Sequence, residues 1–189
     1  MAATREHSGT SVSMLRHLRA ILLLPVMNTL LIPTVLVVGF GDAGLTPTAA
    51  AINVLCIVSG LLLVAGGLLL VVRAIALFVR HGDGTLAPWD PTRVMIIADI
   101  YRYCRNPMKS GLFLILIGEV LVLRSVALAI WALCFIAANV IYIRAFEERG
   151  LRRRFGVAYE DYCSRVPRWL PRFKASSKPP AGQSTELTA

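Results

Sequence analysis

The stretch Ser110-Gly-Leu-Phe-Leu-Ile-Leu-Ile-Gly-Glu119-Val-Leu-Val-Leu-Arg124-Ser125-Val-Ala-Leu-Ala-Ile-Trp-Ala-Leu-Cys134-Phe-Ile-Ala-Ala-Asn-Val-Ile-Tyr-Ile143 decides the fold. Two apolar runs, 110–123 and 126–143, are joined by Arg124-Ser125 alone. Both are short beside the roughly 20 residues that a membrane helix needs. The stretch therefore predicts a tight helical hairpin, thin or partly re-entrant. Glu119 is buried in the first arm, and an acid at that depth is paired, protonated or functional. Arg124 stands at i, i+5 from it, a poor spacing for a same-helix pair.

On the upstream side lies Tyr101-Arg-Tyr-Cys-Arg-Asn-Pro-Met-Lys-Ser-Gly111, which holds three cations, two tyrosines and the helix-stopping Pro107. On the downstream side the adjacent acids Glu147 and Glu148 follow the second arm. Cations, ring hydroxyls and paired acids are costly to gather at one membrane edge, so together they point to a ligand site. Consecutive helical residues point about 100° apart, so the two acids cannot serve one partner equally. Glu148 has Arg152 at i, i+4 in the favourable order, which leaves Glu147 as the expected inward acid. Taken singly, Arg102, Arg105 and Lys109 are equally well explained as membrane-edge anchors.

Beyond these motifs, 56% of the 189 residues are hydrophobic and the mean hydropathy is +0.66, too apolar for an ordinary soluble domain. Residues 18–40 form a further apolar run with kinking Pro25 and Pro33, and with Asn28 placed for an interhelical hydrogen bond. Residues 49–79 carry one charge, Arg73. At 1.5 Å per residue that helix outruns a hydrocarbon core of about 30 Å, so it tilts or projects into the cytoplasm. Gly60, Gly66 and Gly67 predict close helix packing. Gly82 and Gly84 make only a G-x-G without a preceding strand, read as a helix cap and turn, and Trp89 is an interfacial anchor. The net charge of +9 lies beside apolar helices, where anionic lipids attract it. No recognition motif accompanies it, so nucleic acid is not an expected partner. The four cysteines form no C-x-x-C pair; they are read as free thiols, with no metal site.

The chain thus divides into a flexible 1–17, one membrane domain over 18–173 and a disordered tail over 174–189. Helices are expected at about 18–40, 49–79, 110–123 and 126–148. The fold class is an all-α polytopic membrane protein of about four transmembrane helices, including the short hairpin, with a cytoplasmic C-terminal helical segment. Basic segments alternate with base-poor turns, which places both termini and the 101–111 motif in the cytoplasm.

The pattern Tyr101-Arg102-x-x-Arg105-Asn106-Pro107-Met108-x-x-Gly111, then Gly118-Glu119, then Glu147-Glu148-x-x-Leu151-x-x-x-Phe155-Gly156-x-x-Tyr159-x-x-Tyr162-x-x-x-Val166-Pro167-Arg168 resembles the isoprenylcysteine carboxyl methyltransferase family. That family shares a wider group with the phospholipid N-methyltransferases. The segment from Gly84 to Pro91 is similar to bacterial members, which implies a bacterial inner membrane. The resemblance implies S-adenosylmethionine as methyl donor, a lipophilic acceptor from the bilayer, and a cytoplasmic donor site. The donor-binding residues it implies are Tyr101, Arg105, Asn106, Pro107, Met108, Gly111, Glu147 and Glu148. Arg165 matches a basic position near the acceptor, and Glu119 is the other candidate for catalysis. Two departures stand out: Asn106 where the family often has His, and Lys109 where it usually has Tyr. Three other functions fit parts of the pattern. They are phospholipid N-methylation, a sterol-reductase-like activity suggested by Tyr162-Cys163 before Val-Pro, and a non-catalytic accessory role with a degenerate donor pocket.

The topology has a direct test. Reporter fusions at Thr46 and at the C-terminus are expected on opposite sides of the membrane; placement on the same side rejects the four-helix arrangement.

Overall fold

The structure is a computed structural model that describes residues 26–40, 49–81 and 99–169, with the backbone alone at 78–81. The expected helix start over 18–25 with Pro25, the 41–48 turn, the 82–98 segment with Trp89, and both tails lie outside the described residues. Within them the protein is all-α: α1 (Met27–Phe40), α2 (Ala50–His81), a 3₁₀ turn (Asp99–Arg102), α3 (Pro107–Leu123), α4 (Val126–Tyr142) and α5 (Glu148–Arg165). Two helices are long and apolar enough to cross a membrane: the Ala50–Leu77 part of α2, and α4 in its continuation through Val126–Arg165. With the shorter apolar α1 they make an all-α membrane protein.

α2 and α3 set the frame. Gly60 and Gly67 stand seven residues apart on α2, as do Gly111 and Gly118 on α3, so each pair shares one helix face. Gly67 meets Gly111 and Gly60 meets Gly118, which makes the helices antiparallel. A Cβ at Gly67 would lie 2.5 Å from Gly111 O, and one at Gly118 would lie 2.6 Å from Gly60 O. The two backbones touch with no side chain between them, the geometry that small residues permit in lipid. Gly66, expected to share this role, has no neighbour within 4 Å of its Cβ position. Beyond the glycines, Val71 packs on Leu112 and Ile115, with Ile75 against them. α2 has 32 residues, about 48 Å, and runs on past the start of α3 to touch the 3₁₀ turn.

The hairpin forms with the expected two-residue link. Arg124 turns the chain left-handed (φ 51°) and its N–H bonds Val120 O; Ser125 then caps α4 by accepting from Leu128 N. Each arm has 17 residues, about 25 Å. α3 starts three residues before its apolar run because Pro107, with no N–H to satisfy, is well placed in a first helical turn. α1 lies along α4. Its first turn, Met27–Leu31, is wound as a π-helix just ahead of Pro33, whose ring crowds the carbonyl four residues back. Thr34 Oγ1 donates to Leu30 O at 2.6 Å in this distorted turn.

A second π turn, Ile143–Glu147, joins α4 to α5. Glu148 N–H bonds Ile143 O, five residues back, so the chain turns less per residue and the faces beyond are rotated. α5 itself bends at Gly156 (φ 50°, ψ −127°), a conformation open to glycine and strained for other residues.

The glycine contact yields a clear expectation. Gly67→Leu forces a side chain into Gly111 O and Ile115, and overpacking of this kind costs about 1–3 kcal/mol or more. Gly66→Leu meets open space. Thermal unfolding in detergent micelles should show a clear loss for the first and little change for the second.

Candidate functional site

The bend at Gly156 lets the end of α5 fold back over the start of α3. Tyr159, Tyr162 and Val166 form a small core with Leu151, Phe155 and Cys163. Val166 leaves the helix in an extended conformation, as a residue before proline does. The segment 166–169 then lies across the 101–110 motif. Arg105 N–H donates to Pro167 O (2.9 Å), Ser110 Oγ to Trp169 O (2.8 Å) and Cys104 Sγ to Trp169 O (3.1 Å). Tyr162 donates its hydroxyl to Tyr101 O at 2.7 Å. Asn106, which precedes α3 without capping it, donates to Arg168 O (3.4 Å). Trp169 closes the end of the bundle against Phe113, with ring centres 5.3 Å apart. Burial in this junction pushes the Cys104 thiol up from its ordinary pKa.

At the centre stands Glu148. Its carboxylate accepts from Arg168 Nε (2.6 Å) and Nη2 (2.8 Å), a bidentate fork, and from Arg105 Nη1 (3.3 Å). The expected Glu148–Arg152 pair does not form: Glu148 is buried and Arg152 is exposed. The reason is competition for the carboxylate: Arg168 and Arg105, brought in from distant parts of the chain, hold it inside the bundle, where a bidentate guanidinium fork outweighs an exposed i, i+4 pair. Arg105, expected to bind the donor, spends its Nη1 on Glu148 and Cys163 Sγ, while among the described residues its buried Nε has no hydrogen-bond partner.

Glu147 is half-buried and faces a different neighbourhood. It lies in the field of Lys109 and of Tyr101, whose phenol is pushed far up by burial first and by Glu147 second. Lys109 Nζ donates to Asn139 Oδ1 on α4 at 2.9 Å. Sequence reasoning did not single out Asn139, and it quoted Arg168 only as the end of the family pattern, with no role. Asn139 carried a signal all the same, as a polar residue inside an apolar helix. Arg168 carried one as a lone cation between Pro167 and Trp169.

The remaining candidates scatter. Pro107 is buried in the first turn of α3 and Met108 half-buried beside it. Gly111 serves the contact with α2. Arg165 pairs with Asp161 one turn back on its own helix. Glu119 lies two to three turns along α3 from Lys109, and its buried Oε2 has no hydrogen-bond partner. Beside the motif an apolar cleft of about 140 Å³ is lined by Leu70, Ile100, Tyr103, Cys104, Pro107 and Ser110.

A family model described as phospholipid methyltransferase matches residues 55–158, more than half of the chain. The matched segment takes in most of α2, the motif, the hairpin and both acids. No curated protein and no solved structure matches the chain.

Glu148→Gln leaves two guanidiniums without their counter-charge. Breaking a buried ion pair from one side costs about 3–5 kcal/mol. The lower end applies here, since the Arg168 side chain keeps 24% of its exposure. Unfolding of the purified variant in detergent should show that loss, whereas Arg152→Gln should leave stability unchanged.

Proposed function

The chain belongs to the phospholipid methyltransferase family, and from that membership we propose that it is an S-adenosylmethionine-dependent methyltransferase acting on a membrane lipid. The observation that carries the reading is the meeting of the 101–111 motif, Glu147-Glu148 and the 166–169 segment at one end of an apolar bundle. A water-soluble charged donor and a lipid acceptor share no other natural meeting place than such an edge.

The donor would supply a methyl group on a cationic sulfur, along with an α-ammonium and a carboxylate to be recognised. Glu147 is the acid with capacity for the ammonium: among the described residues it accepts no hydrogen bond and joins no ion pair, while Glu148 accepts three hydrogen bonds from two guanidiniums. Tyr101, in the field of Glu147, adds a hydroxyl to the same wall. Arg105, Glu148 and Arg168 fix that wall through their ion pairs. The apolar cleft over Cys104 and Pro107 suits part of an acyl chain and would bring a lipid head group alongside the motif. Holding the accepting atom in line behind the methyl carbon is then a matter of position, and the closed, dry bundle end favours a reaction that disperses charge.

An aminophospholipid is the first choice of acceptor, on the family match. An isoprenylcysteine-like carboxylate is second, because Arg165, the cation implied for orienting it, is held by Asp161.

Two experiments test the reading. Membranes containing the protein, incubated with methyl-labelled donor, should yield a labelled lipid whose head group identifies the acceptor; label in no lipid rejects methyl transfer. Glu147→Gln removes a charge-assisted bond of about 1.5–3 kcal/mol, so donor affinity should fall roughly ten- to a hundredfold with the fold intact. Calorimetric titration of the donor decides this, and unchanged affinity leaves Glu147 a half-buried helix residue with no ligand role.

A further inference from the structure

The carboxylate of a zwitterionic donor needs a cation, and Arg105 is already engaged by Glu148 and Cys163. Lys109 is placed differently. Asn139 donates its own amide N–H to Phe135 O at 2.9 Å, which turns Oδ1 toward Lys109 to accept from Nζ at 2.9 Å. An ammonium has three N–H donors, so one is used and two remain.

Lys109 and Glu147 lie in each other's field. Yet among the described residues no ion pair within 4.0 Å joins them. Half-buried opposite charges ordinarily close on one another, since their attraction is weakly screened away from bulk water. Asn139, reaching across from α4, holds the ammonium instead. The result is a positive and a negative wall, close but apart, with Tyr101 beside the negative one. An α-ammonium and its carboxylate sit on a single carbon. Their partners must therefore be near neighbours that do not neutralise each other by contact, and this pair meets that requirement.

We infer that Lys109, held by Asn139, is the cation that binds the carboxylate of the methyl donor while Glu147 binds its ammonium. The inference rests on the donor reading above and assigns the one charge which that reading left without a partner. It also gives Lys109 a purpose beyond anchoring α3 at the membrane edge.

The test compares two ligands on the full-length protein in detergent: S-adenosylmethionine and its decarboxylated analogue, which keeps the sulfonium and an amine but lacks the carboxylate. Titration calorimetry should show wild-type protein binding the analogue at least tenfold more weakly than the parent ligand. Lys109→Met should lower affinity for S-adenosylmethionine by a similar factor and leave affinity for the analogue unchanged, so that the preference disappears. Lys109→Arg, which keeps the charge, should restore part of it. Thermal unfolding of each variant verifies that it is folded. The inference is overturned if Lys109→Met binds the donor as wild type does, or if it loses both ligands equally. It is overturned also if wild-type protein does not discriminate between them. Failure of wild-type protein to bind either ligand rejects the donor reading itself, an outcome distinct from the others.

Discussion

A carboxylate drawn into the closed end of an apolar bundle must be matched there by positive charge, or the cost of removing it from water opens its surroundings. Glu148 is that carboxylate, with 6% of its surface exposed. Its partners come from positions 43 residues before it and 20 after it. One acid therefore ties the segment ahead of α3, the start of α5 and the chain beyond α5 into a single junction. The neutral hydrogen bonds around it, from Arg105 N–H, Ser110 Oγ and Tyr162 Oη, satisfy the carbonyls of an irregular backbone that lipid would leave bare. The ion pairs and these bonds depend on each other: the segment 166–169 brings Arg168 to Glu148, and it stays in place because the motif holds its carbonyls.

That junction needs something rigid to stand on, and the glycine contact supplies it. Helices in a bilayer gain little by hiding apolar side chains from one another, since the lipid is equally apolar. Their register has to come from shape. Two backbone contacts seven residues apart on each helix fix both the axial position and the rotation of α3 against α2. The contact at Gly111 falls within one turn of Lys109. The motif is thus located by backbone packing next door, independently of the path of the 82–98 segment.

Much of this was legible in the residues. The hairpin followed from two apolar runs around Arg124-Ser125, whereas Pro107, read as a helix stop, stands in the first turn of α3 and starts it three residues earlier. Convergence of the motif with the acidic pair followed from charges too expensive to leave scattered at a membrane edge. The orientation of the two acids was not legible. Spacing rules assigned Glu148 to Arg152, and the partners that win the carboxylate, Arg105 and Arg168, stand too far along the chain for a spacing rule to find. The glycines were seen, but their role lies in a pairing between helices. Each helix shows only a spacing of seven, and the match of Gly60–Gly67 with Gly118–Gly111 exists only once the helices are antiparallel. The bonds from Asn139 to Lys109 and from Arg168 to Glu148 likewise join residues whose separation in the chain gives no hint of contact.

The charges at this edge divide by how fully they are satisfied. Glu148 accepts three hydrogen bonds from two guanidiniums, which balance its charge and take up most of its accepting capacity. Glu147 and Lys109 come from different elements: Lys109 donates to Asn139, and among the described residues no ion pair joins the two. The two adjacent acids thus face different neighbours, as consecutive residues about 100° apart on a helix do. Without Glu148 turned inward, Arg105 and Arg168 would lack their acid, and the junction of the motif with the 166–169 segment would lose its ion pairs.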